Sequence, residues 1–142
     1  LIMITITETQ LDIQSFTDYV LGDQNGAVNT FLGVTRNSTN GRAVVKLEYE
    51  CYLPMAQKKL VEIKDEAARK WEISSVAIGH RIGTLDIGET SLVVAVSGPH
   101  RTAVFEVCQY IVDRIKEIVP IWKKEFFEDG AIWVESPGSE SQ

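Results

Sequence analysis

The side chains best suited to bind a charged ligand gather in one stretch of this sequence, from Gly98 to Lys124. This stretch holds five basic and three acidic residues, in a chain whose net charge is −6. His100 and Arg101 follow an apolar run and stand where a helix is predicted to begin, so free backbone N–H groups and the helix dipole favour an anion there. Together with an arginine fork and an imidazole, this pattern predicts a phosphate or carboxylate site. The alternative is a surface pair that merely begins a helix.

Two lysines farther along the stretch are candidates for proton transfer. Lys116 lies in the last turn of the same predicted helix, beside its apolar stripe, and Lys123 follows Pro120 among aromatic residues. An amine against apolar walls loses hydration, which lowers its pKa and suits it to acid/base or nucleophilic work. The alternative is structural, because lysines also favour helix C-termini and extend toward solvent. Arg36, at a predicted strand end before a polar loop, could reach into a cleft.

The spacing of these residues argues for two copies of the chain. His100 and Lys116 lie sixteen residues apart on one helix, which corresponds to about 24 Å at ~1.5 Å per residue. One small ligand cannot contact both within a single chain. We therefore hypothesise a two-fold dimer, in which the His100 and Arg101 of one copy face the lysines of the other.

Several other classes of site and protein are disfavoured by the sequence. Cys51 and Cys108 are far apart on apolar faces, which predicts core thiols in a reducing, cytoplasmic compartment rather than a zinc site or a nucleophile. His80 lies on an apolar strand face and is expected to be structural. The acidity of the chain argues against nucleic-acid binding, and no apolar run approaches the ~20 residues that cross a bilayer. The first residues lack the basic region of a secretory signal.

The predicted elements form an α+β domain over residues 1–135, followed by a flexible tail over residues 136–142. Hairpins rather than strict strand–helix alternation indicate a largely antiparallel sheet. One strand is expected to turn Val45, Leu47 and Tyr49 to the same side, and Gly83 to Gly88 is expected to form a turn. Three helices are predicted, at about 13–20, 54–71 and 99–119, and six strands, at about 27–36, 43–52, 76–82, 91–97, 121–127 and 131–135.

Several short motifs occur in the order seen in one known family. The His-Arg pair, the Lys-x6-Lys spacing and the Trp-Lys-Lys-Glu run are specific when they occur together. On these residues the chain resembles the large, catalytic subunit of molybdopterin synthase from about Gly26 to Glu135. The motifs are Gly26-Ala27-Val28, Phe31 to Asn37, Leu47-Glu48-Tyr49-Glu50, His80-Arg81-Ile82-Gly83, Gly88-Glu89, Pro99-His100-Arg101, Lys116 to Glu125 and Trp133-Val134-Glu135.

The resemblance implies an α/β-hammerhead fold and a sulfur transferase. Such an enzyme converts cyclic pyranopterin monophosphate to molybdopterin, in molybdenum cofactor biosynthesis, by forming a dithiolene. The sulfur arrives as a thiocarboxylate on the C-terminal Gly-Gly tail of a small ubiquitin-like subunit. Two small subunits flank a central homodimer, making a heterotetramer. The resemblance implies no metal and no other cofactor for this step.

The resemblance also suggests roles for individual residues. Lys116 and Lys123 correspond to the family's catalytic lysines, and Arg36, His100 and Arg101 to its substrate-binding cations. Some members carry an arginine soon after Trp-Val-Glu, where this chain has Ser136-Pro137-Gly138. Arg42 or Arg81 could replace it. Two other functions stay open: a non-catalytic module that binds a phosphate ligand or a ubiquitin-like tail, and a dimeric scaffold without a ligand.

Overall fold

The structure, a computed structural model, describes residues 2–134, so residues 135–142, which include the expected tail, lie outside the described part. Three helices and nine strands occur within it. In chain order they are β1 (Ile2–Thr7), α1 (Ile13–Val20), β2 (Ala27–Val34), β3 (Ser38–Thr39), β4 (Arg42–Cys51), α2 (Leu53–Lys70), β5 (Ser75–Arg81), β6 (Gly83–Asp86), β7 (Thr90–Gly98), α3 (Arg101–Ile118), β8 (Ile121–Phe127) and β9 (Gly130–Val134).

The first sheet has the strand order β1-β5-β7-β2 and forms the centre of the molecule. Its strands β5 and β7 are buried almost along their whole length, as expected for strands covered on both faces. Helices α2 and α3 cover one face, and α1 covers the other. The larger apolar cluster, between the sheet and helices α2 and α3, contains Ala56, Leu60, Ile63, Ala67, Val76, Ile78, Leu92, Val94, Val96, Val104, Val107, Cys108, Ile111, Ile115 and Val119.

Prolines mark the boundaries of the helices that cover this sheet. Pro54 stands in the first turn of α2, where its missing N–H costs nothing. Pro120 follows α3 and cannot continue it, since proline clashes with the preceding turn. The chain therefore leaves the helix before Pro120 and enters β8 at Ile121. The end of α3 lies beside the start of that strand.

The second sheet carries β4, β8 and β9, with β6 and the short β3 also paired to β4. Its polar and apolar side chains alternate, and its small apolar cluster consists of Val44, Leu47 and Phe127 with Tyr49 packed against it. Strand β8 lies between β4 and β9, with Tyr49 opposite Lys123. The second sheet is therefore the thinly packed part of the molecule.

The observed architecture confirms the α+β class, three helices and a largely antiparallel arrangement, in which only β1 and β5 pair in parallel among the described strands. Two details differ from expectation. Residues 83–86 form β6 before the turn at Gly88 (φ +87°), because they pair with β4. A register shift between Val44 and Lys46 turns Val44 inward and leaves Val45 half exposed, which reverses the expected side of Val45.

Three strands were not anticipated. They are β1, β3 and β6. Strand β3 has only two residues and no sequence signal, whereas residues 4–7 of β1 alternate Ile and Thr, which is the pattern of a strand. No helix among residues 2–134 is long and apolar enough to span a lipid bilayer.

Candidate active site

Lys123 lies on β8, an interior strand of the second sheet, and its side chain is partly buried. Strand alternation puts it on the same face as Glu125, and its Nζ lies 3.9 Å from Glu125 Oε2. The adjacent Lys124 points to the opposite face, where its Nζ lies 5.2 Å from the ring centroids of Phe126 and Trp133. Two successive lysines thus have different environments, and only Lys123 faces the buried side of the sheet.

Glu125 is a buried carboxylate beside this amine. Only 8% of the residue is exposed, and Thr39 Oγ1 donates a hydrogen bond to its Oε2 at 3.0 Å. Sequence analysis did not assign Glu125 to the site, although its spacing of two from Lys123 on a strand indicated a shared face. The Glu125 carboxylate is thus an anionic neighbour of Lys123, whose side chain is mostly buried.

The surroundings of Lys123 make its amine easier to deprotonate than that of an ordinary lysine. Burial lowers the pKa of its amine, and the positive charges of Lys116 and Arg36 lower it further, while Glu125 acts in the opposite direction. Two expected site residues are thus close enough to affect the third. An amine with a lowered pKa can accept and return a proton near neutral pH more readily than an ordinary lysine.

Arg36 and Lys116 reach this area from two other elements, and both are exposed. Arg36 follows Thr35, which is buried and whose N–H and Oγ1 both donate to Glu89 O, at 3.0 and 3.1 Å. Lys116 lies in the last turn of α3 but not against apolar walls, so that expectation is wrong. It directly follows the buried Ile115, and one residue along a helix turns a side chain by about 100°.

His100 and Arg101 lie at the opposite end of α3 from Lys116, and both are exposed. His100 takes the N-cap position, with an extended backbone and no capping hydrogen bond from its side chain. The helix between them is continuous, so the spacing of about 24 Å inferred from the helical rise holds. Within one chain the structure therefore brings Arg36, Lys116 and Lys123 together and leaves His100 and Arg101 apart.

The expected structural roles of the thiols and of His80 are confirmed. Cys108 is buried, its Sγ lies 3.7 Å from Val94 O, and burial raises the pKa of its thiol to about 11. Burial also raises the pKa of the Cys51 thiol, so neither cysteine is a ready nucleophile. His80 is buried beside Tyr49, with Nδ1 2.8 Å from Arg81 O, and burial lowers the pKa of its imidazole to about 4.

The two arginines considered as replacements for a C-terminal arginine both have partners in the same chain. Arg42 Nη2 lies 2.8 Å from Asp129 Oδ1, and its guanidinium stacks on the ring of Phe127. Arg81 Nη1 lies 3.2 Å from Glu89 Oε2. No group of three or more histidine, cysteine, aspartate or glutamate side chains within residues 2–134 is arranged to hold a metal ion.

A cavity of about 450 Å³ opens between the edge strand β2 and the outer side of α3. Phe105, more than half exposed, stands beside it. Cys108, Gln109 and Val112 contribute from the helix and Phe31 and Leu32 from the strand, so the cavity is chiefly apolar with a polar margin. The cavity lies midway along α3, between its two charged ends.

Comparison with known proteins shows which molecules share this sequence and architecture. The family model described as MoaE protein matches residues 6–118. A molybdopterin synthase catalytic subunit from Bacillus subtilis is 50% identical over 129 residues, covering 91% of this chain and 82% of that protein. The corresponding subunit from Arabidopsis thaliana is 42% identical and covers 89% of this chain and 64% of its own length. The crystal structure of molybdopterin synthase from Staphylococcus aureus superposes with a TM-score of 0.88 at 43% identity, over 91% of this chain and 94% of that one.

Proposed function

The chain belongs to the MoaE protein family, and we propose that it acts as the catalytic subunit of a molybdopterin synthase. It is a sulfur transferase that converts cyclic pyranopterin monophosphate to molybdopterin in molybdenum cofactor biosynthesis. The observation that carries the proposal is the pair of cations, Arg36 and Lys116, close to the Lys123 amine, whose pKa is lowered. Such a group suits an anionic substrate and a reaction that moves protons.

Each cation of this group has a distinct task in the proposed reaction. When the thiocarboxylate sulfur attacks the pterin side chain, negative charge develops on oxygen and protons must be transferred. Lys123, half buried and poised to lose its proton, is the acid/base group, and Glu125 orients its amine. Lys116 and Arg36 stabilise the developing anion and the substrate phosphate.

The sulfur donor is the C-terminal Gly-Gly thiocarboxylate of a small ubiquitin-like subunit, and the assembly is a heterotetramer around a homodimer. The narrow C-terminal tail of such a partner can reach the Lys123 amine, because about a third of the Lys123 side chain is exposed. We place the enzyme in the cytoplasm, where thiols such as Cys51 and Cys108 stay reduced.

A homodimer built on the outer side of α3 would supply the distant anion pair. Residues on that side recur at helical spacing, with Arg101 at one end, Phe105 and Gln109 between, and Lys116 at the other end. If two copies of α3 pack antiparallel about a two-fold axis, Arg101 of the partner subunit faces Lys116, and each Phe105 meets the partner's cavity. His100 and Arg101 then hold the phosphate of a substrate that reacts at the other copy's lysines.

The proposed reaction is tested by mixing the protein with a thiocarboxylated small subunit and cyclic pyranopterin monophosphate, and measuring molybdopterin. Lys123→Ala should lower the rate by about 10²–10⁴-fold, the range for loss of a general acid or base. Lys116→Ala should also lower it, by removal of one stabilising charge. Lys124→Ala is the matched control, since it removes the neighbouring amine from the opposite face of β8.

The proposal fails if Lys123→Ala and Lys116→Ala both keep the full rate while dimerisation and small-subunit binding are unchanged. A chain that only binds a ubiquitin-like tail would bind the small subunit and form no molybdopterin in any variant, including the unaltered protein.

A further inference from the structure

The turn that precedes His100 and Arg101 is hydrogen-bonded to a second turn, at residues 25–26. Strand β7 ends at Gly98, and the chain passes through Pro99 into the N-cap of α3. The N–H of Gly26, just before β2, donates to Gly98 O at 3.0 Å. The side-chain amide of Asn25 lies 3.3 Å from Ser97 Oγ. The orientation of α3's first residues therefore depends on the 25–26 segment.

Gly26 fits this place because it has no side chain. A Cβ at this position would lie 2.4 Å from the carbonyl oxygen of Pro99, closer than real Cβ contacts come. The obstacle is backbone rather than a flexible side chain, so one of the two turns would have to move. The backbone conformation of Gly26 is itself compatible with alanine, since its φ is not in the left-handed region. A side chain at position 26 would therefore displace the turn at Pro99 rather than strain the backbone of residue 26.

We propose that Gly26, assisted by Asn25, is a positioning residue for the anion anchor formed by His100 and Arg101. The close contact of Gly26 with Pro99 sets the direction in which both side chains leave the helix N-terminus. A shift of this turn by about 1 Å is enough to misplace the imidazole and the guanidinium relative to the substrate phosphate. The inference rests on the proposed function, in which this pair binds that phosphate for the partner's lysines.

The first test compares two variants within the same turn. Gly26→Ala should raise KM for cyclic pyranopterin monophosphate about 10- to 100-fold, as expected for a misplaced binding group, and change kcat much less. Asp23→Ala is the control, because it truncates an exposed side chain of the same turn and leaves both Gly26 and Asn25 unchanged. Equal KM values for Gly26→Ala and the unaltered protein would overturn the inference.

A second variant keeps the test decisive if Gly26→Ala does not fold. Asn25→Ala removes the side-chain hydrogen bonds to Ser97 Oγ and Val20 O and leaves the backbone contact of Gly26 in place. We expect a smaller rise in KM in the same direction, with thermal unfolding and circular dichroism close to those of the unaltered protein. An unchanged KM in a folded Asn25→Ala variant would count against the positioning role when Gly26→Ala cannot be measured.

Mixed dimers separate positioning of the anchor from a general loss of structure. A purified heterodimer of a Gly26→Ala chain and a Lys123→Ala chain contains one site with an intact anchor and intact lysines. It should regain about half of the unaltered activity at low substrate concentration, although both parent homodimers are impaired. A heterodimer of His100→Ala and Lys123→Ala chains is the reference and should behave in the same way.

The two heterodimers distinguish failure of the inference from failure of the proposed function. If the His100→Ala heterodimer regains activity and the Gly26→Ala heterodimer does not, the shared site stands and the positioning role of Gly26 is overturned. If neither regains activity, the anchor does not act across the dimer, and the inference is overturned together with the shared site.

Discussion

The first and second sheets differ in how completely their side chains are buried. In the first sheet, strands β5 and β7 are buried between helices on both faces, and their side chains belong to two large apolar clusters. In the second sheet, apolar side chains alternate with charged ones, and its cluster contains three buried residues. Lys123 and Glu125 belong to this second sheet. The amine that needs partial burial is thus placed where burial is incomplete.

The contrast explains how a lysine can be shielded without being lost from solvent. A lysine in the first sheet would be enclosed by hydrocarbon on both faces and would need a buried counter-charge. On β8 of the second sheet, Lys123 keeps about a third of its side chain exposed and lies near one carboxylate. The amine therefore stays accessible from solvent, and its pKa is still lowered.

The largest difference between the two regions should appear when the same core truncation is made in each. Leu60→Ala opens a cavity in the large cluster that packs on the first sheet, where Leu60 is 1% exposed. It should lower the free energy of unfolding by about 4–5 kcal/mol, near the top of the range for such changes. Leu47→Ala, in the small cluster of the second sheet, should cost about 2–3 kcal/mol, because nearby side chains can collapse into the space.

Chemical denaturation of both leucine variants measures this difference. Equal losses, or a larger loss for Leu47→Ala, would contradict the assignment of stability to the first sheet and its helices.

The smallest effect is expected at the register shift of the second sheet. Val45 is 50% exposed because the shift turns Val44 inward. Val45→Thr should therefore change the free energy of unfolding by no more than about 0.5 kcal/mol, as at other surface sites. The matched change Val44→Thr buries a hydroxyl in the small cluster and should cost about 1–3 kcal/mol. A reversed order would mean that regular alternation holds through β4.

The sequence predicted the elements whose signals are local. Proline positions and helical periodicity predicted the bounds of α2 and α3 to within about two residues. The continuous apolar run identified β7 as a central strand. The sequence predicts a turn where β6 lies, because these four residues form a strand only by pairing with β4. The register shift at Val44 could not be predicted from the sequence either, since it depends on the pairing of β4 with β8.

The candidate site shows the same limit at the level of single residues. Helical rise alone separated His100 from Lys116, and strand alternation alone distinguishes Lys123 from Lys124. The approach of Arg36 to Lys123 depends on two elements far apart in sequence, as does the hydrogen bond from Thr39 to Glu125. Such contacts follow from the tertiary fold, so composition and spacing could propose the residues but not their neighbours.

The central claim is that Lys123 is an amine with a lowered pKa because burial and two neighbouring cations disfavour its charge. NMR titration of the lysine side chains, with Lys123 assigned by its loss in Lys123→Arg, measures this directly. The account predicts a midpoint below the ordinary value of 10.5. It also predicts a rise in Lys116→Gln, since removing a nearby positive charge makes the ammonium form easier to keep. A midpoint at or above 10.5, unchanged in Lys116→Gln, would contradict it.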